Sequence, residues 1–361
     1  MNEKPNLKTY GIVALLVLWT GIFGFGENVK LTMKKIVEIG AKGIPFYTLN
    51  SVCEDDEENI YVLDKKNFNV RKFSKDGKEL LSFGSKGEGP GSFLSLNRVY
   101  FSKKTGIIVT EMMNFASIFT TEGKIIRKIN LTRKGGLFFY IKYFEGDIFY
   151  GVSQKGVPMP KQVLFDSSGK IVNSDLYSGK GDSVNMPDGS NYSQSTPEIF
   201  PKLIFESYKG LAVAGFSDKY ELKLVNSQGK VVKIIRSSLQ SQSLTGKEKE
   251  YFTETFCNIK NFPPEVQKEF VKKIPKTKTY FYTAMPTTKY VFVFRIKDDT
   301  TNENPPYPVD VFKITGEYVG RVNVPKIPLL VSDKYLYFEE DDENNEEAPL
   351  LLVKYSYELS K

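Results

Sequence analysis

NIYVLDKKNFNVRKFSKDGKELLSFGSKGEGPGSF, from Asn59 to Phe93, is the stretch whose reading decides the fold. It contains three short runs of β-branched, aromatic and other apolar residues, which suit half-buried strands. Asp76-Gly77 joins the second run to the third, and a dipeptide of this kind between apolar runs marks a tight hairpin. GSKGEGPG, from Gly84 to Gly91, closes the stretch. A glycine-rich loop can cradle a phosphate when a helix follows it, but here the chain returns to a β pattern at Asn97, so the loop reads as a crossover between strands.

The same turn signal returns at Glu122-Gly123, Ser168-Gly169, Gln228-Gly229 and Thr315-Gly316. Four residues before each of the five glycines stands an apolar residue: Phe73, Phe119, Phe165, Val225 and Phe312. Gly77, Gly123 and Gly169 are spaced 46 residues apart. A period in the mid-forties is that of a four-stranded propeller blade, about 40–45 residues. Later gaps are longer because of a Ser/Gly/Asn-rich insertion from Ser178 to Pro197 and a helical one. Apolar strands precede the turns at NIYVLD, GIIVTE, DIFYGV, GLAVAGF, KYVFVFR and KYLYF, which makes six blades. Inner strands are legible as LNRVYF from Leu96, LFFYIKYF from Leu137 and KLIFES from Lys202.

The sixth blade lacks a fourth strand after LLLVKYSYEL. KIVEIGAKG, from Lys35 to Gly43, resembles ELLSFGSKG, from Glu79 to Gly87, and Gly179-Lys180-Gly181 echoes both. The amino-terminal strand is therefore expected to act as an outer fourth strand that completes blade 6 and closes the ring, removing exposed sheet edges. The fold expected is all-β: a six-bladed β-propeller of four-stranded blades, with a small helical insertion over 245–275 between blades 4 and 5. In that insertion Thr245 and Glu248 form a capping box, with Tyr251, Phe252, Phe256 and Ile259 as a rough apolar stripe. Pro264 opens a second helix. The pair is expected to pack on the rim and shield a blade edge.

With these residues quoted, the chain resembles an NHL-type repeat, and as a whole the secreted bacterial six-bladed propellers built from it. The resemblance rests on Val62 and Asp64, Asn67, Phe73 and Gly77, and the run Phe83 through Phe93. It implies that Asp64 and Asn67 hold a turn rather than a ligand. Blades 2 to 5 lack the Asp64–Asn67 pair, so the resemblance assigns no residue there.

Composition narrows the chemistry. The 361 residues include no histidine, which removes His-based triads, His general bases and His-ligated metals. A net charge of +7 without a clustered Lys/Arg block argues against nucleic acid. Cys53 and Cys257 are too few for a disulfide scaffold and are expected to be separate, buried thiols. The acidic runs Glu54–Glu58 and Glu339–Glu347 lack calcium-loop spacing and read as solvated loops. Lys4 and Lys8 precede the uncharged run from Gly11 to Gly26, which at 16 residues is short for a membrane span and suits a signal peptide over 1–26, with Gly24 and Gly26 ahead of the cut. An uncleaved signal anchor is the alternative. The mature chain, 27–361, is thus expected outside the cytoplasm, periplasmic or secreted, as one propeller domain and a monomer.

Without a catalytic constellation, the chain reads as a binding protein that recognises a protein, peptide or glycan through its blade-connecting loops and needs no cofactor. Lys86, Glu88 and Arg98 are the candidate binding residues, being polar groups where a crossover loop meets an inner strand. The alternative is a lactonase-like hydrolase with calcium or magnesium held by oxygen ligands in the channel, for which Glu111, Asp147, Asp218 and Asn323 are available.

Overall fold

The computed structural model describes residues 29–40, 46–49, 51–112, 114–131, 138–153, 161–178, 183–185, 191–193, 199–257, 263–302, 306–342 and 350–361. The apolar run at 11–26 and the Gly179–Gly181 echo lie outside them. Six four-stranded antiparallel sheets form a propeller ring. From channel to rim, blade 1 is Val52–Glu54, Ile60–Asp64, Asn69–Phe73 and Glu79–Phe83. Blade 2 is Leu96–Ser102, Gly106–Glu111, Phe115–Phe119 and Ile125–Asn130; blade 3 is Phe138–Glu145, Ile148–Ser153, Lys161–Asp166 and Ile171–Asn173. Blade 4 is Leu203–Tyr208, Leu211–Phe216, Glu221–Val225 and Val231–Arg236; blade 5 is Phe281–Pro286, Tyr290–Arg295, Tyr307–Lys313 and Tyr318–Val324.

Blade 6 is made from both ends of the chain: Leu330–Val331, Tyr335–Asp341, Leu350–Ser360 and then Lys30–Ile39 on the rim. Lys30 pairs with Ser360 and Ile39 with Leu352, with one register slip between Lys35 and Val37. The amino-terminal strand closes the ring. The echo between Gly40 and Gly84 also has a shared packing role, because a ring lies against each: Phe46 on Gly40 and Phe93 on Gly84.

The repeated turn does two things at once. Between third and fourth strands the register slips by one residue at the apolar position, at Phe73, Phe119, Phe165, Val225 and Phe312. The extra residue lies on the fourth strand just past the turn, Leu80 in blade 1 and Ile126 in blade 2, and the turn glycine itself takes a left-handed backbone, φ 83° at Gly77. The residue three before the glycine fastens the turn, as when Ser74 Oγ accepts from Lys78 N at 3.2 Å or Asp166 Oδ1 from Lys170 N at 3.1 Å. The same glycine touches the preceding blade's outer strand. A Cβ on Gly77 would lie 2.6 Å from Val37 Cγ2, and one on Gly123 would lie 2.9 Å from the Phe83 ring.

The apolar core is divided among the six blade interfaces. Blades 1 and 2, for example, share Tyr61, Leu63, Phe93, Val99 and Phe119, and blades 6 and 1 share Ile39, Phe46, Val62 and Leu352. Asp64 and Asn67 hold their turn: Asn67 N and Nδ2 donate to the Asp64 carboxylate at 3.1 and 2.9 Å. No helix follows the 84–91 loop; Ser85–Lys86 instead pairs in parallel with Ser92–Phe93.

Helix α1, Gly246–Phe252, starts at the expected capping box, and α2, Pro264–Lys272, starts at the expected proline. Phe252 packs with Ile199 and Leu244, which lead into and out of blade 4. Glu248 also reaches into the blade 5 region, accepting from Lys278 Nζ at 2.6 Å and from Thr300 N and Oγ1 at 3.1 and 2.7 Å. The insertion is thereby clasped to both blades. Ile259 and the side chain of Phe256 lie outside the described residues. Cys53 is a buried free thiol, and the Cys257 side chain is not among those described.

The first acidic run departs from its expected place in solvent. Glu54 and Asp55 are buried, at 7% and 5% exposure. Asp55 accepts from Glu57 N, Asn59 N, Asn59 Nδ2 and the Tyr61 hydroxyl at 2.9–3.0 Å, so it organises the hairpin from within. Glu54 points into the ring.

Candidate binding site in the central channel

Antiparallel alternation puts the blade-to-blade crossovers and the turns between second and third strands on one face, called here the crossover face. The other two sets of turns lie on the opposite, hairpin face. Innermost strands run from the first face to the second, so a residue's position along its strand gives its depth in the channel.

The channel holds a cavity of about 70 Å³ lined by, among others, Glu54, Arg98, Tyr100, Glu206, Tyr208 and Lys209. Its centre is a charged triad from three blades. Arg98 Nη1 donates to Glu206 Oε2 at 3.3 Å, and Lys142 Nζ donates to Glu206 Oε1 at 2.7 Å and to the Phe205 carbonyl at 2.6 Å. Burial pushes the Glu206 carboxyl up, but Arg98 and then Lys142 more than offset this, leaving it below the usual range. For Lys142 burial wins over Glu206, and the amine falls to about 8. Glu206 holds Arg98 in its charged form. Lys65, on the crossover-face turn of blade 1, is lowered by burial and then by the Arg98 charge.

Deeper in, Glu54 spans the ring. Its carboxylate accepts from Tyr208 of the opposite blade at 2.9 Å and from Tyr337 of blade 6 at 2.8 Å. Burial, then the Glu54 charge, raises both phenols. Beyond this, on the hairpin face, Asp56 pairs with Lys103 and Lys209, each at 3.6 Å, and Glu58 takes Lys334 and the Tyr335 hydroxyl. The hairpin end is therefore bridged by ion pairs and hydrogen bonds between blades.

Of the three residues expected to bind, Arg98 alone lines the cavity. Lys86 is exposed on the crossover with its amine 5.3 Å from the Phe68 ring centroid, and Glu88 is exposed at the loop tip. Glu206, Lys142, Lys65 and Glu54 were missed. Lys142 and Glu206 stand as charges inside largely apolar inner strands, LFFYIKYF and KLIFES, whereas Lys65 sits in a charged turn and Glu54 opens an acidic run, so neither of these stood out.

The four candidate metal ligands do not converge. Glu111 accepts from Leu94 N at 2.8 Å and pairs with Lys128, fastening a crossover. Asp147 takes Arg127 and Ser167 on blade 3, Asp218 is exposed on blade 4, and Asn323 lies on the outermost strand of blade 5. Among the described residues no three carboxylate or cysteine side chains come together in a way that could hold a metal ion.

No protein-family model and no curated protein matches the chain. Solved structures do. A member of the DUF4221 family from Bacteroides vulgatus aligns over 92% of this chain and 99% of its own, at 14% identity and TM-score 0.59. A "Putative exported protein" from Bacteroides fragilis aligns over 92% and 96%, at 14% identity and TM-score 0.56. A virginiamycin B lyase from Staphylococcus aureus aligns over 91% and 99%, at 10% identity and TM-score 0.40. The likeness is one of fold. Among the described residues no helix is long and apolar enough to cross a membrane.

Proposed function

We propose that the protein is an extracytoplasmic, NHL-type propeller that binds a protein, peptide or glycan through its crossover face, with the channel mouth as the anchoring point. One observation carries this reading: the channel holds a polar cavity with Arg98 and Glu206 on its wall. A rigid ring with a polar cavity in its channel suits recognition, since little of its surface must be ordered on binding. The apolar run at 11–26 and the likeness to an exported protein support the location. Catalysis is not required, and the scattered positions of Glu111, Asp147, Asp218 and Asn323 do not favour the metal-dependent alternative.

The test is capture of a partner from envelope extracts by the full chain and by a triple variant, Lys86→Ala, Glu88→Ala and Arg98→Ala. Loss of a specific partner in the variant, with an unchanged melting temperature, is expected. Equal capture by both would remove these residues from the site, and a melting temperature raised by calcium would favour the metal-dependent alternative.

A further inference from the structure

We propose that the Asp56–Lys209 ion pair is a gate across the hairpin end of the channel, closed at low salt and opened by ionic strength. It lies on the face opposite the proposed binding surface and does not depend on that role.

The pair joins opposite sides of the ring. Asp56 stands on the turn between the first two strands of blade 1, and Lys209 on the corresponding turn of blade 4. Three blades apart in a ring of six, they meet at 3.6 Å. The other exposed pairs at this end, Asp56–Lys103 and Glu58–Lys334, join neighbouring blades only.

Lys209 is both wall and bridge. It lines the cavity together with Glu54, Tyr208 and Cys53, and its amine lies 5.3 Å from the Tyr208 ring centroid. Because it follows the last residue of its innermost strand, it stands where the cavity meets the hairpin face.

The backbone at Lys209 breaks a local preference. Tyr208 pairs with Leu211, so Lys209 and Gly210 form a two-residue turn, with φ 45° and 75°. Such turns favour Asn, Asp or Gly where φ is positive. A lysine there is conformationally costly, and what it gains is an amine long enough to cross the channel.

The bond is also the kind that salt releases. The Asp56 and Lys209 side chains are 41% and 33% exposed, so their attraction is weak and readily screened. Glu54 and its two tyrosines are buried just inside and are screened much less. Salt therefore frees the bridge and leaves the ring beneath it intact.

Cys53, a free thiol 8% exposed on the cavity wall, reports entry. The full chain is treated with methyl methanethiosulfonate, a small neutral reagent, at low salt and at about 1 M sodium chloride, where the screening length falls to about 3 Å. Modification of Cys53 is followed by peptide mass spectrometry. A rate about threefold to tenfold higher at high salt is expected, the range for loss of one or two weak surface pairs. Asp56→Asn and Lys209→Met are expected to show the high rate already at low salt, with no further rise, while Lys103→Met keeps the salt response. Amide exchange of the blade strands is expected to stay unchanged, which separates a gate from a loosened ring. The inference is overturned by a salt-independent rate in the wild type, by a salt response that survives in Asp56→Asn and Lys209→Met, by equal opening in Lys103→Met, or by a rise matched by faster strand exchange.

Discussion

Glu54 shows what a single residue can do in a closed ring. Its carboxylate is the shared acceptor of two buried phenols from blades 4 and 6, so removing it strands both hydroxyls. Glu54→Ala is expected to cost about 2–4 kcal/mol in denaturant unfolding, the range for buried groups left without partners. Tyr208 and Tyr337 give this site a pH signature. In the unfolded chain both titrate near pH 10, whereas in the fold burial and Glu54 keep them protonated to higher pH. Their contribution is complete below pH 10 and drains away above it, because the unfolded chain releases its protons first. Denaturation midpoints at pH 8.5 and 10.5 should therefore fall, and Tyr337→Phe should flatten the drop; an identical drop in that variant would rule the phenol out. None of this was legible in the sequence, where Glu54 opens a run of five acidic residues that looks solvated. A strand three residues long gives no alternation from which to tell the last inward side chain from the first one in solvent. Gly77 was legible, and for two reasons that act together. Gly77→Ala would force a left-handed alanine and drive its Cβ into Val37, with an expected loss of about 1–3 kcal/mol.

At the scale of elements, the helical insertion depends on one carboxylate. Glu248 caps α1 and accepts from Lys278 and Thr300, and although burial alone would raise it, these donors hold it at about 2. Its stabilising share is present above about pH 4.5, its unfolded value, and is lost as pH falls through about 2. Hydrogen exchange of 246–252 should rise at pH 2–3 before that of the blades, and Glu248→Ala should show the same exposure at neutral pH. The insertion's boundaries were readable because caps and prolines act locally, within one turn of sequence. The channel triad was not, since Arg98, Lys142 and Glu206 meet only after three blades are placed. A lone charge in an apolar strand fits a rim position just as well.

The whole molecule is a ring of six interfaces, each with its own core, and the turn glycines of blades 1, 2, 4 and 5 each pack on the outer strand of the blade before. The repeat was legible because a glycine in five of the six units turns the hairpin, and in blades 1, 2, 4 and 5 it also packs on the neighbouring blade. Only the blade-scale period was needed to infer the propeller. The closing strand has a consequence for how the chain is made. Lys30–Ile39 is made before every other strand of the ring, yet its partner, Leu350–Ser360, is made after all of them. Until that partner is made, this strand waits as an unpaired edge. Lys30, Lys34 and Lys35 put on that strand the kind of charge that disfavours pairing of a waiting edge with a wrong neighbour.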